Sequence, residues 1–158
     1  NTLVTRTFSK AFGLAGERIG WATGARGLID AINRLRGAFN VSSTGQVAAL
    51  AALGDSDFVA RSQQENDVAR TAFADAIASL GNHGLRALPS SANFLLVLFE
   101  GALTADAARS ALQRGGYAVR HLPGQGLADA LRITIGTVPQ MAAVAAILAE
   151  AAASCSAR

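Results

Sequence analysis

The chain has a single lysine, Lys10, although it contains thirteen arginines. A guanidinium stays protonated, whereas a lysine amine can lose its proton and attack a carbonyl carbon. Because arginine supplies the positive charge everywhere else, an amine kept at this one position indicates carbonyl chemistry. The count alone leaves a second interpretation open, in which the lysine is a chance survivor in an arginine-biased composition.

Hydroxyl and guanidinium groups surround this lysine in the segment RTFSKAFGLAGERIG, residues 6–20. Thr7 and Ser9 offer hydroxyl donors, and Arg18 offers a planar fork of donors that suits a phosphate dianion. These groups would bind one end of a phosphorylated aldehyde while the amine condenses with the other end, which describes pyridoxal 5'-phosphate. The alternative is a polar turn between two strands with an unrelated arginine.

The segment at residues 7–20 resembles a known family pattern. TFSKAFGLAGxRxG is similar to the lysine segment of fold-type I pyridoxal-phosphate aminotransferases, and most similar to that of the histidinol-phosphate aminotransferases. Three later segments match the family in the same order: SANFLLV at 91–97, GYAVR at 116–120 and LRITIGT at 131–137. Together these matches extend over most of the chain. The resemblance implies that Lys10 is the catalytic residue and the attachment point of pyridoxal 5'-phosphate.

The resemblance also implies how the cofactor and the substrate are bound. Thr7, Ser9 and Arg18 would contact the cofactor phosphate. Arg132 would bind the substrate α-carboxylate with a bidentate contact, and Arg120 would meet the substrate phosphate. The alternatives are a solvated strand arginine at position 132 and a surface arginine paired with an acid at position 120.

The implied reaction is amino transfer between histidinol phosphate and 2-oxoglutarate in histidine biosynthesis, by a cytoplasmic homodimer. The partners are then an amino-acid-like substrate and a 2-oxo acid. Two alternatives stay open. One is a related enzyme with the same cofactor, such as an aromatic aminotransferase or a threonine-phosphate decarboxylase. The other is a folded small-domain remnant without catalytic function.

The composition argues against several other classes of protein. The net charge is only +3 and the arginines are scattered, so no nucleic-acid partner is predicted. The single Cys155 allows no internal disulfide and indicates a reducing compartment. Two histidines cannot build a metal site alone. No uninterrupted apolar run reaches the roughly 18 residues of a membrane span, so no membrane partner is predicted.

Hydrophobic periodicity predicts an α/β fold in two parts. The family resemblance implies that residues 1–55 end the large PLP-binding domain, and the periodicity predicts strands at 3–8 and 18–23 on either side of the lysine. Residues 56–158 are predicted to form a connecting helix to position 80 and a small α/β domain. The other predicted elements are helices at 26–35, 43–53 with Ser43 as its cap, 104–114 and from 138, and strands at 86–89, 93–99, 117–121 and 131–135.

The first residue, Asn1, is not an initiator methionine, and a predicted strand follows it almost at once, which predicts a fragment of a longer protein. In the resembling family, an aspartate on the pyridine nitrogen and an aromatic ring on the cofactor come from segments before the lysine. We therefore expect the chain to need an amino-terminal segment or a partner subunit for efficient transamination.

Overall fold

The structure, a computed structural model, describes residues 2–156. The predicted domain ranges also include Asn1, Ala157 and Arg158, which lie outside the described residues. The fold divides into two compact units between Gln63 and Gln64, inside a helix. The predicted boundary after residue 55 marks the start of that helix instead, and the identification of the units with a large and a small domain stays a prediction.

The first unit contains a β-hairpin and two helices before the helix at its end. Its elements are β1 (Leu3–Thr7), β2 (Gly20–Gly24), α1 (Arg26–Leu35) and α2 (Ser43–Gly54). The two strands are antiparallel, with Thr7 opposite Gly20. A Cβ atom at position 20 would lie 2.5 Å from the carbonyl oxygen of Arg6, so the close approach of the strands requires glycine here.

Two predictions for this unit were wrong in detail. The predicted strand at 18–23 begins only at Gly20, because Arg18 has a left-handed backbone with φ of 55°. The predicted cap Ser43 is the first residue of α2, and Ser42 is the cap: its Oγ accepts a hydrogen bond from the Gly45 N–H at 2.9 Å.

The second unit is a four-stranded antiparallel sheet with helices. Helix α3 (Ser56–Ala78) enters it from the first unit. The remaining elements are β3 (Leu85–Ala87), β4 (Phe94–Phe99), α4 (Ala105–Arg114), β5 (Arg120–Leu122), β6 (Leu127–Thr134) and α5 (Val138–Ser156). The strand order is β3-β4-β6-β5, and each neighbouring pair is antiparallel.

One face of this sheet and three helices form the core of the second unit. Alternate residues of β4 and β6 point into it, as the period of two in a strand requires. The largest fully buried side chains are Phe73, Ile77, Leu85, Leu95, Val97, Leu112, Leu131, Ile133, Val144 and Leu148. The alternating partners Phe94, Leu96 and Arg132 are only half-buried and therefore lie on the opposite face.

Helix α4 ends at Arg114 as predicted, but the predicted strand at 117–121 starts later, at Arg120, because the capping turn after the helix includes Tyr117. The Tyr117 N–H donates to the Leu112 carbonyl at 2.9 Å, and Gly116 has φ of 85°. These features end a helix with a left-handed residue, and they keep position 117 out of the sheet. The following strand β6 is longer than predicted, since it begins at Leu127 to pair with β5.

Within residues 2–156, α5 is the one helix whose length and composition would allow it to cross a membrane, with a mean hydropathy of 1.5 over Val138–Cys155. One side of the helix belongs to the core of the second unit. Its buried residues are Met141, Val144, Leu148 and Ala152. This packing accounts for the apolar side of the helix, and the absence of a membrane partner stays a prediction.

Candidate active site

The loop between β1 and β2 carries the lysine at the end of the hairpin. The Gly13 N–H donates to the Lys10 carbonyl at 2.8 Å, and the Leu14 N–H donates to the Phe8 carbonyl at 2.9 Å. These two bonds fold residues 8–14 into nested turns around a buried Phe8. Lys10 itself is exposed, so its amine is accessible to a carbonyl compound.

The hydroxyl groups of Thr7 and Ser9 are joined next to this lysine. The Thr7 Oγ1 donates to the Ser9 Oγ at 2.8 Å and accepts a hydrogen bond from the Ser9 N–H at 3.0 Å. The contact between the two hydroxyls uses only one of their two protons, so the other proton remains for another acceptor. This pair can therefore donate to an anionic oxygen beside the amine.

Arg18 lies across the hairpin from these hydroxyls. The Phe8 N–H donates to the Ile19 carbonyl at 3.1 Å. Ser9 follows Phe8 and Arg18 precedes Ile19, so both residues are next to this hydrogen bond. The Arg18 Nη1 donates to the Ala15 carbonyl at 2.7 Å, which ties the guanidinium to the loop. The structure thus brings the predicted phosphate-binding residues to the same end of the hairpin as the lysine.

The two predicted substrate arginines meet in the second unit. Arg120 of β5 and Arg132 of β6 are directly opposite each other in the antiparallel register, on one face of the sheet. Like charges in such a pair destabilise a sheet unless another group neutralises them. Neither arginine forms an ion pair with any residue in 2–156, so the predicted alternative of a surface arginine paired with an acid is not supported for Arg120.

Arg132 has a further unusual feature. Its Nε is buried and has no hydrogen-bond partner among the described residues, and its guanidinium carbon lies 5.1 Å from the centroid of the Phe94 ring. An unpaired buried N–H costs free energy unless an acceptor reaches it. The geometry therefore suits an anionic ligand at this face of the sheet.

An open cavity of about 440 Å³ adjoins Arg120 at the edge of the sheet. It is lined by Asp106, Arg109, Val119, Arg120, His121 and Pro123. Arg109 donates to Asp106 at 2.8 Å, and this hydrogen bond lowers the pKa of the Asp106 carboxyl. Since Arg109 is already neutralised, Arg120 is the arginine on this rim whose charge is available to a ligand.

Sequence reasoning missed two features of these sites. The Arg-x-Gly pattern does not predict the left-handed backbone of Arg18, because residues other than glycine rarely adopt that conformation. The ring of Phe94 under Arg132 depends on strand pairing: Phe94 is opposite Thr134, two positions from Arg132 on the same face. The sequence shows an aromatic residue at the start of an apolar predicted strand, but it does not show which side chain lies against that ring.

The comparison with known families decides where the chain belongs. Residues 1–148 match the family described as aminotransferase class I and II. This chain belongs to that family. The predicted resemblance to pyridoxal-phosphate aminotransferases is therefore confirmed.

Individual relatives agree with the family. The chain is 64% identical over 152 residues to the histidinol-phosphate aminotransferase of Erythrobacter litoralis (strain HTCC2594), covering 96% of this chain and 41% of that protein. It is 55% identical over 148 residues to the histidinol-phosphate aminotransferase of Zymomonas mobilis, covering 94% of this chain and 40% of that protein. The chain thus spans about two-fifths of the length of these curated relatives.

A solved structure has the same fold. The crystal structure of histidinol-phosphate aminotransferase from Sinorhizobium meliloti, in complex with pyridoxal-5'-phosphate, matches with a TM-score of 0.82 and 32% identity. The match covers 96% of this chain and 41% of that chain. The predicted α/β fold, as part of a PLP-transferase, is therefore confirmed.

Proposed function

We propose that the protein containing this chain is a pyridoxal-phosphate-dependent aminotransferase that transfers the amino group of histidinol phosphate to 2-oxoglutarate, in histidine biosynthesis. The observation that carries this proposal is the grouping of Lys10, Thr7, Ser9 and Arg18 at one end of the β1–β2 hairpin. Identity of 64% to a histidinol-phosphate aminotransferase supports the choice of substrate. The proposal includes a homodimer and a cytoplasmic location.

The residues at the hairpin fit pyridoxal 5'-phosphate by their chemistry. Lys10 provides an accessible amine for the aldehyde. Ser9 provides a hydroxyl donor and Arg18 a guanidinium for the phosphate dianion. When bound, the cofactor supplies an electron sink for the negative charge that develops on the substrate α-carbon. Lys10 is the group that moves the proton to and from that carbon.

The arginine pair on β5 and β6 would bind both substrates in turn. Histidinol phosphate carries a phosphate where glutamate carries its α-carboxylate, so the two substrates present different anions beside the amino group. Arg132 can bind either one with its planar fork, and Arg120, directly opposite, adds the second charge that a phosphate dianion needs. Holding the anion restricts the orientation of the substrate's amino group.

The attachment site can be tested on the full-length protein loaded with pyridoxal 5'-phosphate. Borohydride reduction and peptide mapping are expected to place the cofactor mass on the peptide that contains Lys10. The variant Lys10→Arg keeps the positive charge but cannot form a covalent bond with the cofactor aldehyde. It should therefore lose both the label and the visible absorption band of the lysine-bound cofactor. A label on a different lysine peptide would contradict the proposal.

The substrate can be tested separately by following glutamate formation from 2-oxoglutarate. Turnover with histidinol phosphate should exceed turnover with phenylalanine by at least about tenfold, since a phosphate meets two arginines and a carboxylate needs one. Equal rates with phenylalanine, or release of CO₂ from threonine phosphate, would contradict the proposed substrate but leave the attachment at Lys10 intact.

A further inference from the structure

The guanidinium of Arg132 rests on an aromatic ring instead of pairing with a carboxylate. Its central carbon lies 5.1 Å from the centroid of Phe94. Phe94 and Arg132 are on neighbouring antiparallel strands and are offset by two positions. Long side chains can reach such a diagonal neighbour on the same face of a sheet. The contact therefore follows from the register of β4 and β6.

This arrangement holds the arginine without using its hydrogen-bond donors. An aromatic face attracts a cation through its quadrupole, while a carboxylate would occupy the planar fork and compete with an anionic substrate. The buried Arg132 Nε has no hydrogen-bond partner among residues 2–156. The contact with the ring does not require one. The guanidinium is thus fixed in place with donors left for a ligand.

The backbone that carries the ring is held by a network of hydrogen bonds that reaches α3. The Ser90 Oγ donates to the Phe94 carbonyl at 2.7 Å and accepts from the Ala92 N–H at 3.0 Å. The Ala92 carbonyl accepts from Asn66 Nδ2 at 3.4 Å and from Arg70 Nη1 at 3.2 Å. The start of β4 therefore has little freedom to move, and the ring provides a stable platform.

We propose that Phe94 is a positioning residue, whose ring holds the Arg132 guanidinium in the orientation that accepts the anionic group of the substrate. The inference rests on the proposed function, because it gives Arg132 the role of anion binder. Phe94 acts through Arg132 and touches neither the reacting atoms nor the cofactor in this scheme.

The proposal predicts a selective loss of anion affinity in the full-length enzyme. Phe94→Leu should weaken calorimetric binding of glutarate, a dicarboxylate without a reactive amine, by about three- to tenfold, the range expected for a cation–π contact. The KM values for histidinol phosphate and 2-oxoglutarate should rise by a similar factor, while kcat changes by less than about twofold. Phe94→Tyr keeps the ring and should bind glutarate within about twofold of the wild type.

Two controls separate positioning from simple packing. Leu98→Ala alters the same face of β4, where Leu98 is opposite Ala130 and not Arg132, and should leave glutarate binding unchanged. Arg132→Leu should abolish glutarate binding. Equal weakening by Phe94→Leu and Leu98→Ala, or equal weakening by Phe94→Leu and Phe94→Tyr, would overturn the positioning role.

The failure of this inference is distinguishable from failure of the proposed function. If Arg132→Leu loses glutarate while Phe94→Leu binds it like the wild type, the arginine binds the anion without the ring, and the positioning role alone is overturned. If Arg132→Leu also binds glutarate normally, both Arg132's proposed part in substrate binding and the inference are overturned. If the wild-type enzyme loaded with pyridoxal 5'-phosphate fails to transaminate histidinol phosphate, the proposed function is overturned.

Discussion

Arg18 combines a functional position with an unfavourable backbone. Its φ of 55° and ψ of 40° lie in the left-handed region, where a Cβ atom approaches the following carbonyl and costs about 1–2 kcal/mol. Glycine would adopt this conformation without that cost, as it does at several other turns of the chain. An arginine retained under strain indicates that its guanidinium is needed where the turn places it.

Arg18→Gly and Arg18→Ala form a matched pair that separates strain from anion binding. Both variants of the full-length protein should bind pyridoxal 5'-phosphate more weakly, because both remove the guanidinium. Only the glycine relieves the strain, so its free energy of unfolding without cofactor should exceed that of the alanine variant by about 1 kcal/mol. Cofactor titration and urea unfolding measure the two effects. Equal stabilities of the variants would show that the turn stores no strain.

At the scale of elements, the start of α2 is joined to the lysine loop. Gly45 is buried in the first turn of the helix, and a Cβ atom there would lie 3.0 Å from the Ser42 Oγ and 3.4 Å from the Glu17 Oε2. Glu17 immediately precedes Arg18, so the loop and the helix share a tight contact. The cap at Ser42 therefore affects the helix and the loop that it contacts.

Adjacent serines allow this cap to be tested with an internal control. Ser42→Ala removes the hydrogen bond to the Gly45 N–H and should lower the free energy of unfolding by about 1 kcal/mol. Ser43→Ala, one residue inside the helix, should change it by less than about 0.5 kcal/mol. Urea unfolding monitored by circular dichroism gives both values. A larger loss of unfolding free energy for the Ser43 variant would show that Ser43, and not Ser42, is the cap.

The elements were largely predictable, and their junctions were not. Helix α1 lies where the apolar spacing predicted it, and β1 and β4 differ from their predictions by one residue at an end. The late start of β5 follows from a hydrogen bond from the Tyr117 N–H to the end of α4, a capping contact that the strand pattern at 117–121 does not show. The direct pairing of Arg120 with Arg132 depends on the register between their two strands, and the sequence does not show that register. The single lysine and its motif indicated the chemistry because bond formation depends on residue type.

At the scale of the whole molecule, the two units differ in how much apolar surface they bury. The second unit has a continuous core, whereas the first exposes large apolar side chains, including Leu35 at 87% and Phe39 at 99%. Exposed apolar patches of this kind are typical of surfaces that contact other protein. The chain also spans only about two-fifths of its curated relatives' length.

Hydrogen exchange on the 158-residue chain should therefore be uneven. Amides of β4 and β6 should exchange slowly, and amides of α1 and α2 should exchange faster by at least about a hundredfold, because few buried contacts oppose local opening of these helices.

The same preparation, supplied with pyridoxal 5'-phosphate and both substrates, should show no measurable amino transfer. Uniform protection across both units would contradict the first expectation, and turnover would contradict the second.

The outer strands of the four-stranded sheet have a consequence for self-association. The central strand β4 reads FLLVLF, a composition typical of segments that stack into amyloid when exposed. It is shielded by β3 on one side and by β6 on the other. The two outer strands have three residues each, and β5 is irregular between His121 and Leu122, so neither edge offers a long ladder to a second molecule. Fibril growth from the folded sheet is therefore disfavoured despite its amyloid-prone centre.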